Sequence, residues 1–438
     1  MQKAARRIVE RLRRHGHEAF FAGGWVRDYL LQRKAKDIDI ATSAHPEEVQ
    51  RLFPNSTAVG ASFGVIQARA YGHAYEIATF RTEGPYLDGR HPSEVAFSTP
   101  EQDARRRDFT VNGMFYDPIA GRVIDYVRGR QDLQRRLIRT IGDPDARFDE
   151  DKLRLLRAIR FACSLDFRIA ETTWEAIRRL APKILRVSWE RIRDEIRKML
   201  VGPAPGRALD LLHESGLLKE ILPEVEAMRG IQQPPEYHPE GDVYVHTRMA
   251  LELLRRPSAA LALGTLLHDV GKPPTFSVSD RIRFDGHVEV GAQMAEAICR
   301  RLRLSNEETE RIVELERHHL RFMHVHQMRK STLTRFLRLP NFADHLELHR
   351  VDCLSSHGNL DSYRFCLEKL KELRAQPPPP APLINGEDLI EMGYQPGPIF
   401  KEILDSVEDL QLEDTIRTKA EALEHVLRAF PLPKPGEK

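Results

Sequence analysis

Residues 20–42 read FFAGGWVRDYLLQRKAKDIDIAT. A Gly-Gly turn, Gly23 and Gly24, stands ahead of an Asp-x-Asp pair, Asp37 and Asp39, in an apolar strand-like run. Successive side chains of a strand alternate faces, so carboxylates at i and i+2 point the same way and can share hard, oxygen-preferring cations such as Mg²⁺. Glycines without Cβ let backbone N–H groups close on a triphosphate. Together these features suggest in-line displacement at phosphorus by two metals ~3.5 to 4 Å apart, one activating a hydroxyl and one holding pyrophosphate. An isolated Asp-x-Asp is usually a solvated strand end. Arg27 and Asp28 just after the glycines, and a third carboxylate, Glu76 in AYEIATF, weigh against that here.

Working outward, Arg105, Arg106, Arg107 and Asp108 open RRRDFTVNGMFYD, Glu150, Asp151 and Arg154 lie in RFDEDKLRLLRAIRFA, and SWERIRDE spans Ser188–Glu195. In content and order these motifs resemble the class II tRNA nucleotidyltransferases, the CCA-adding enzymes and their bacterial poly(A) polymerase relatives. INGEDLIEMGYQPGPIFKEIL near the C-terminus is similar to that family's tail. The resemblance implies a polymerase-beta-like α/β head followed by all-α neck, HD and tail domains. It implies an enzyme that adds or repairs the 3′-terminal CCA of tRNA from CTP and ATP, without a nucleic-acid template. Mg²⁺ is the implied cofactor. Asp37 and Asp39 would hold the metals with Glu76 beside them. Gly23, Gly24 and Arg27 would meet the triphosphate, and Arg107 and Asp108 the nucleotide, Asp108 through the ribose 2′-OH. Asp151 and Arg154, three apart on an expected helix and therefore on one face, pair an acceptor with a donor and can match the base edge of C or A. Arg157 and Arg160 continue that stripe toward phosphates. Alone, EDKLRLLRAIR would pass for an ordinary charged amphipathic helix.

Periodicity gives the organisation. From Phe20 to about Asp125, short β-branched runs (VIQARA, AYEIATF, RVIDYV) alternate with turns and one helical stretch, PEEVQRLF; after Gly142 the pattern is helical almost throughout. The expected divisions are a catalytic head at 1–142, a nucleobase- and RNA-binding neck at 143–230, an HD domain at 231–375 and a helical tail at 383–430. Glu83–Val95, EGPYLDGRHPSEV, reads as a mobile loop; in the family a loop here serves addition of the terminal A, which argues against a CC-only enzyme. Gln376–Pro382, QPPPPAP, reads as a stiff polyproline II spacer, and the closing PLPKPGEK as frayed.

The 438 residues, 41% apolar and 30% charged, belong to a globular chain of several domains. Cys163, Cys299, Cys353 and Cys366 have no CxxC spacing, which fits a reducing cytoplasm and neither a zinc knuckle nor a disulfide framework. MQKAARRIVERLRRHGHEAF lacks the apolar core of a secretory signal; Ile8, Val9 and Leu12 read as a first helix packed on the head. No run approaches the ~20 apolar residues of a membrane span. The net charge of +2 hides an uneven distribution: residues 128–200 carry 19 Lys and Arg against 12 Asp and Glu, a local +7 that leaves −5 elsewhere. That assigns polyanion binding to the middle of the chain, with RNA rather than DNA as the partner and shape recognition sufficient for a tRNA.

A second chemistry starts near Tyr237. His246, the adjacent His268 and Asp269 in LLHDVGK, and Asp352 in HRVDCL follow the order of the HD-superfamily metal phosphohydrolases. A mixed N/O ligand set suits a divalent transition metal or Mg²⁺ over a thiolate zinc site. His287, in FDGHVEVGAQ, stands where some HD members bind a second metal, and His318 and His319 are further candidates. The implied reactions are phosphomonoester or 2′,3′-cyclic phosphate hydrolysis. Two other readings stay open: an enzyme adding only the final A, or poly(A); and an HD phosphohydrolase whose head merely binds RNA.

Overall fold

The computed structural model describes residues 1–35, 37–60, 64–84, 95–375 and 381–432. The Glu83–Val95 loop and the QPPPPAP spacer fall largely outside the described residues, as does most of PLPKPGEK. Two compact units emerge. The first holds residues 1–230 with 256–263 and 297–305; the second holds 231–255, 264–296 and 306–438.

The first unit begins with helix α1 (Gln2–Arg14), whose Ala5, Ile8, Val9 and Leu12 are fully buried, so the expected packing of the first helix holds. There follow β1 (Ala19–Ala22), α2 (Gly24–Leu30), β2 (Asp39–Thr42), α3 (Pro46–Leu52), β3 (Ser56–Gly60), β4 (Val65–Ala70) and β5 (His73–Thr79). A small hairpin, β6 (Arg81–Glu83) with β7 (Val95–Phe97), precedes α4 (Pro100–Arg105), β8 (Phe115–Asp117) and β9 (Arg122–Ile124). The seven-stranded sheet runs β3-β4-β5-β2-β1-β8-β9. Its neighbours are antiparallel except β2 and β5, which pair in parallel with Ile40 opposite Ile77. That register brings Asp39 level with Glu76, while the β1–β2 register sets Asp39 opposite Ala22, one residue before Gly23. The mixed head with a helical remainder is the architecture the periodicity implied.

The first unit continues through α5 (Gly129–Gln134), β10 (Leu137–Ile138), α6 (Pro144–Glu150), α7 (Leu153–Leu165), β11 (Arg168–Ile169), α8 (Glu171–Leu180) and α9 (Trp189–Leu200), then α10 (Pro205–Glu214), α11 (Leu217–Ile221) and α12 (Pro223–Glu226). Asp143 caps α6, accepting from the Ala146 N–H at 2.9 Å, with Pro144 in the first turn. Helix α7 presents Leu155, Leu156, Ile159 and Ala162 to the core.

Beyond residue 230 follow α13 (Val243–Leu253), α14 (Ala259–Leu267), α15 (Lys272–Thr275), the β12 (Ser277–Val278) and β13 (Ile282–Arg283) hairpin, α16 (His287–Arg301), α17 (Asn306–His318), α18 (Lys330–Leu337), α19 (Phe342–Ser355) and α20 (Asp361–Ala375), all in the second unit except the first half of α14 and the last turn of α16. Gly271 is required there. A Cβ would lie 2.1 Å from the His287 carbonyl oxygen and 2.6 Å from Gly291 N, so any side chain would push α16 away. The tail helices α21 (Gly386–Glu391), α22 (Pro398–Leu412) and α23 (Lys419–Ala429) bury their own core of Leu389, Ile403, Val407 and Val426.

Candidate functional site

The head site is built at the β1–α2 turn. Gly23 adopts φ +64°, and a Cβ there would sit 3.3 Å from Arg107 Nη1 and 3.6 Å from Asp39 Oδ2. Glycine thus frees both the turn and the space above the carboxylate. Strand β2 begins only at Asp39, so Asp37 stands just before the strand, not within it as the pattern suggested. Asp37 and Glu76 nonetheless act on Asp39. Although its residue surface is exposed, protein atoms crowd its carboxyl. Burial, then the Asp37 and Glu76 charges, push its pKa up to about 6 against the opposing pull of Arg107. Three converging carboxylates are what a divalent cation would neutralise.

Opposite them stand ordered cations. Arg27 donates from Nη1 to Asn112 Oδ1 and from Nε to Asp28 Oδ1, both at 2.8 Å. Arg107 is held by the buried Asp103 at 2.9 Å and lies 5.0 Å over the Phe115 ring. Asp108, 9% exposed, accepts at Oδ1 from the Phe109 N–H (2.7 Å) and Asn112 (3.1 Å), and at Oδ2 from Arg157 Nε (2.9 Å) and Nη2 (2.5 Å). Burial alone would raise this carboxyl, but Arg157 and the hydrogen bonds outweigh it and hold it down at about 2. The Asp108 carboxylate therefore anchors Arg157 besides facing the pocket.

Asp151 and Arg154 do not share a helix, contrary to the expectation. Asp151 is extended (φ −141°, ψ 104°) at the break between α6 and α7, and its Oδ1 accepts the Leu153 N–H at 3.1 Å. This local bond competes with helix continuation, as Asp side chains do, and starts α7 afresh. Arg191 clamps Asp151 with two bonds, 3.1 and 2.8 Å, and Arg154 Nη1 donates to Glu150 Oε2 (2.6 Å) and the Arg147 carbonyl (2.8 Å). Both residues still face the same space. A cavity of about 480 Å³ is lined by Gly23, Gly24, Arg27, Asp39, Arg107, Asp108, Asp151, Arg154 and Arg157, within the size range of small-molecule sites. Asn112, Phe161 and Arg191 also line it. They lie inside or beside the quoted motifs, yet neither spacing nor residue type singles them out. Arg160 turns away: it ion-pairs with the buried Glu195 and lies 4.1 Å over the Phe161 ring.

The HD residues gather in the second unit. His246 Nε2 stands 3.1 Å from Asp352 Oδ1, 3.3 Å from His268 Nε2 and 3.8 Å from Asp269 Oδ2. Three groups among the described residues have mutually close donor atoms: His238, Glu240 and His246; His246, His268 and Asp352; and Asp269, His287 and His319. The imidazoles are oriented from behind. Nδ1 of His268 bonds the Thr265 carbonyl (2.8 Å), that of His287 the Phe284 carbonyl (2.8 Å), that of His319 the Glu316 carbonyl (2.6 Å) and that of His246 the Glu240 carboxylate (2.7 Å). Each Nε2 is thereby left for a ligand. Those of His287 and His319 are buried with no hydrogen-bond partner among the described residues, which fits a metal. His318 pairs instead with Glu314 at 2.9 Å. Burial would lower the His246 pKa, but Asp352 and Glu240 raise it to about 9; burial lowers His319 to about 4. A cavity of about 340 Å³ opens on Asp269, His287, His319 and Asp352, with Tyr237, Phe284, Leu320 and Met323 as apolar wall.

Comparison with known proteins matches three domain families in succession along the chain. The "Poly A polymerase head domain" family matches residues 19–139, the "Probable RNA and SrmB- binding site of polymerase A" family 166–229, and the "HD domain" family 237–348. The chain is 46% identical over 219 residues to the CCA-adding enzyme of Anoxybacillus flavithermus, covering 50% of this chain and 55% of that protein. With the CCA-adding enzyme of Geobacillus kaustophilus it shares 47% over 226 residues, 51% and 56% of the two chains. The matched region thus spans about half the length of these curated relatives. The crystal structure of the Bacillus stearothermophilus CCA-adding enzyme in complex with CTP superposes with a TM-score of 0.73 at 28% identity, covering 98% of both chains. Three successive stretches of the chain thus each match a domain family, and half of it is similar to CCA-adding enzymes. A Thermotoga maritima CCA-adding enzyme complexed with tRNA agrees in fold (TM-score 0.59, 23% identity, 97% and 94% covered). No helix among the described residues is long and apolar enough to cross a membrane.

Proposed function

We propose that this chain is a template-independent RNA nucleotidyltransferase that completes the 3′-terminal CCA of tRNA from CTP and ATP. The observation that carries the reading is the shared cavity: Asp39, crowded by Asp37 and Glu76, opens onto the same space as the arginines and the Asp151–Arg191 and Arg154–Glu150 pairs. Asp37 and Asp39 would hold Mg²⁺, which activates the primer 3′-hydroxyl and neutralises the pyrophosphate. Arg27 and Arg107 would orient the triphosphate, and Asp108 would meet the ribose while fixing Arg157. Asp151 and Arg154 are already satisfied by protein partners, so a cytosine or adenine edge would exchange for those bonds. Such an exchange favours bases offering matching donors and acceptors, because a mismatched base leaves a buried charge unpaired.

The HD cluster supports a second, separate activity, hydrolysis of phosphomonoesters or 2′,3′-cyclic phosphates. The His246, His268 and Asp352 group and the Asp269, His287 and His319 group would hold two divalent ions through nitrogen and oxygen, a set suited to Mn²⁺, Ni²⁺, Fe²⁺ or Mg²⁺. The deciding assay supplies tRNA lacking CCA, ending in C, or ending in CC, with labelled CTP or ATP, and reads the added length. Stepwise completion to CCA is expected. Addition of A alone, or of long A tracts, would instead assign the A-adding or poly(A) reading, and no addition to any primer would overturn the polymerase.

A further inference from the structure

The charge tally of the sequence points to residues 128–200, yet many cations there are already committed to carboxylates: Arg139 to Asp132, Arg160 to Glu195, Arg179 to Asp145 and Arg191 to Asp151. Helix α1 is different. It carries Lys3, Arg6, Arg7, Arg11, Arg13 and Arg14 against the single carboxylate Glu10. Arg6 pairs with Glu10 and Arg13 with Asp117; Lys3, Arg7, Arg11 and Arg14 have no carboxylate partner among the described residues. Steps of four, four and three place these four in one column on the face opposite the buried one, separated by roughly 4.5 to 6 Å along the axis. That is comparable with the separation of successive phosphates on an RNA strand.

A second, independent observation sits beside the column. Arg7 lies 5.5 Å over the ring of Tyr71 and Arg11 lies 5.2 Å over Phe53. Tyr71 occupies the tip of the β4–β5 hairpin with φ +52°, followed by Gly72 at φ +80°. Asn, Asp or Gly is the economical choice at such a position, and a bulky aromatic there is strained. The residue is nevertheless 46% exposed, so it does not serve the core. Strain at an exposed aromatic beside a guanidinium column is what a surface for stacking a base and holding its phosphates would retain.

We infer that the outward face of α1, with Tyr71, is an RNA-backbone docking surface of the head, additional to the neck. The inference rests on the RNA-substrate reading above. A lipid surface fits less well. The apolar side of α1, Ala5, Ile8, Val9 and Leu12, is sealed in the head and has nothing to insert into a bilayer. Arginine predominates over lysine, which suits bidentate phosphate contacts.

The test uses the full chain and a tRNA transcript lacking CCA, with binding followed by fluorescence anisotropy from about 50 to 200 mM salt. The triple variant K3E/R7E/R14E should bind more weakly, and the slope of log affinity on log salt should shrink by ~2 to 3. Y71N, which keeps the charge and relieves the turn, should melt no lower than the parent yet bind tRNA several-fold more weakly. Parent-like affinity and slope in the folded triple variant, together with parent-like binding by Y71N, overturn the docking surface while leaving the polymerase reading intact. Loss of binding to phosphatidylglycerol vesicles in the triple variant without loss of tRNA binding overturns it in favour of a membrane. A parent that does not bind tRNA at all refutes the RNA-substrate reading itself.

Discussion

Asp39 offers the sharpest quantitative prediction. Its carboxyl titrates near 6 because burial and the neighbouring Asp37 and Glu76 charges disfavour ionisation. A divalent ion needs the carboxylate, so the proton and the metal compete. With a pKa about 6, roughly nine-tenths of Asp39 is ionised at pH 7 and roughly a tenth at pH 5, so apparent metal affinity should fall about tenfold across that interval. An Asp39 with the model-peptide value of 3.8 would show almost no change there. The same shift fixes the sign for stability. The folded state binds the proton more tightly than the unfolded one, so this group's contribution declines as pH rises from about 4 to about 6, and bound metal restores it. Free Mn²⁺ counted by electron paramagnetic resonance against the nucleotide-free protein carrying His268→Ala and Asp269→Ala, from pH 3.5 to 8, reads the effect at the head. In Glu76→Gln the break should move toward lower pH, because one raising charge is gone. A midpoint near 4 in the parent, or an unmoved midpoint in the variant, would refute the crowding argument.

Asp108→Asn removes the charge that Arg157 holds down at about 2. A depression of about two units corresponds to roughly 2 to 3 kcal/mol, present above pH ~4 and lost as pH falls through about 2, so urea melts at pH 7 should show a loss of that order. An unchanged midpoint would mean that Arg157 finds another partner. Asp151→Ala, which also releases Arg191, should degrade CTP-over-ATP discrimination more than triphosphate affinity; equal losses for every nucleotide would show that this pair does not read the base. His268→Ala with Asp269→Ala should lower the number of Mn²⁺ ions bound in calorimetry and remove phosphohydrolase activity while nucleotide addition survives, provided circular dichroism shows the domain folded. Full hydrolysis by the folded variant would locate that chemistry elsewhere.

The mixed α/β head, the helical remainder and the residues that gather at the two candidate sites were legible because they rest on periodicity and on residue types that few other roles require. His268 and Asp269 are adjacent in sequence, and Asp37 and Asp39 almost so. What escaped depends on where side chains find partners. The helix from Glu150 through Arg154 looked continuous because charge spacing was compatible with it; the Asp151 side chain preferred the Leu153 N–H, which no periodicity reports. Arg160 kept the stripe that suggested phosphates, but Glu195, distant in sequence and buried, claims it. Arg191 was visible only as one basic residue among many, and its position over Asp151 follows from how α9 packs beside α7. His287 and His319 could be named as candidates, whereas their junction with Asp269 required the tertiary structure.

The parallel pairing of β2 with β5 has a consequence for assembly. Asp39 and Glu76 are brought level only once the chain has run out through α3, β3 and β4 and returned, so the carboxylate trio cannot exist in a nascent hairpin or a locally folded fragment. Long-range closures of this kind come late and are slow to form. A partly folded head therefore lacks the complete trio, and the repulsion between Asp39 and Glu76 arises only in the step that completes the sheet. Metal ions in the cell would then act on the finished head, tightening its last closure without drawing the chain into premature compact forms.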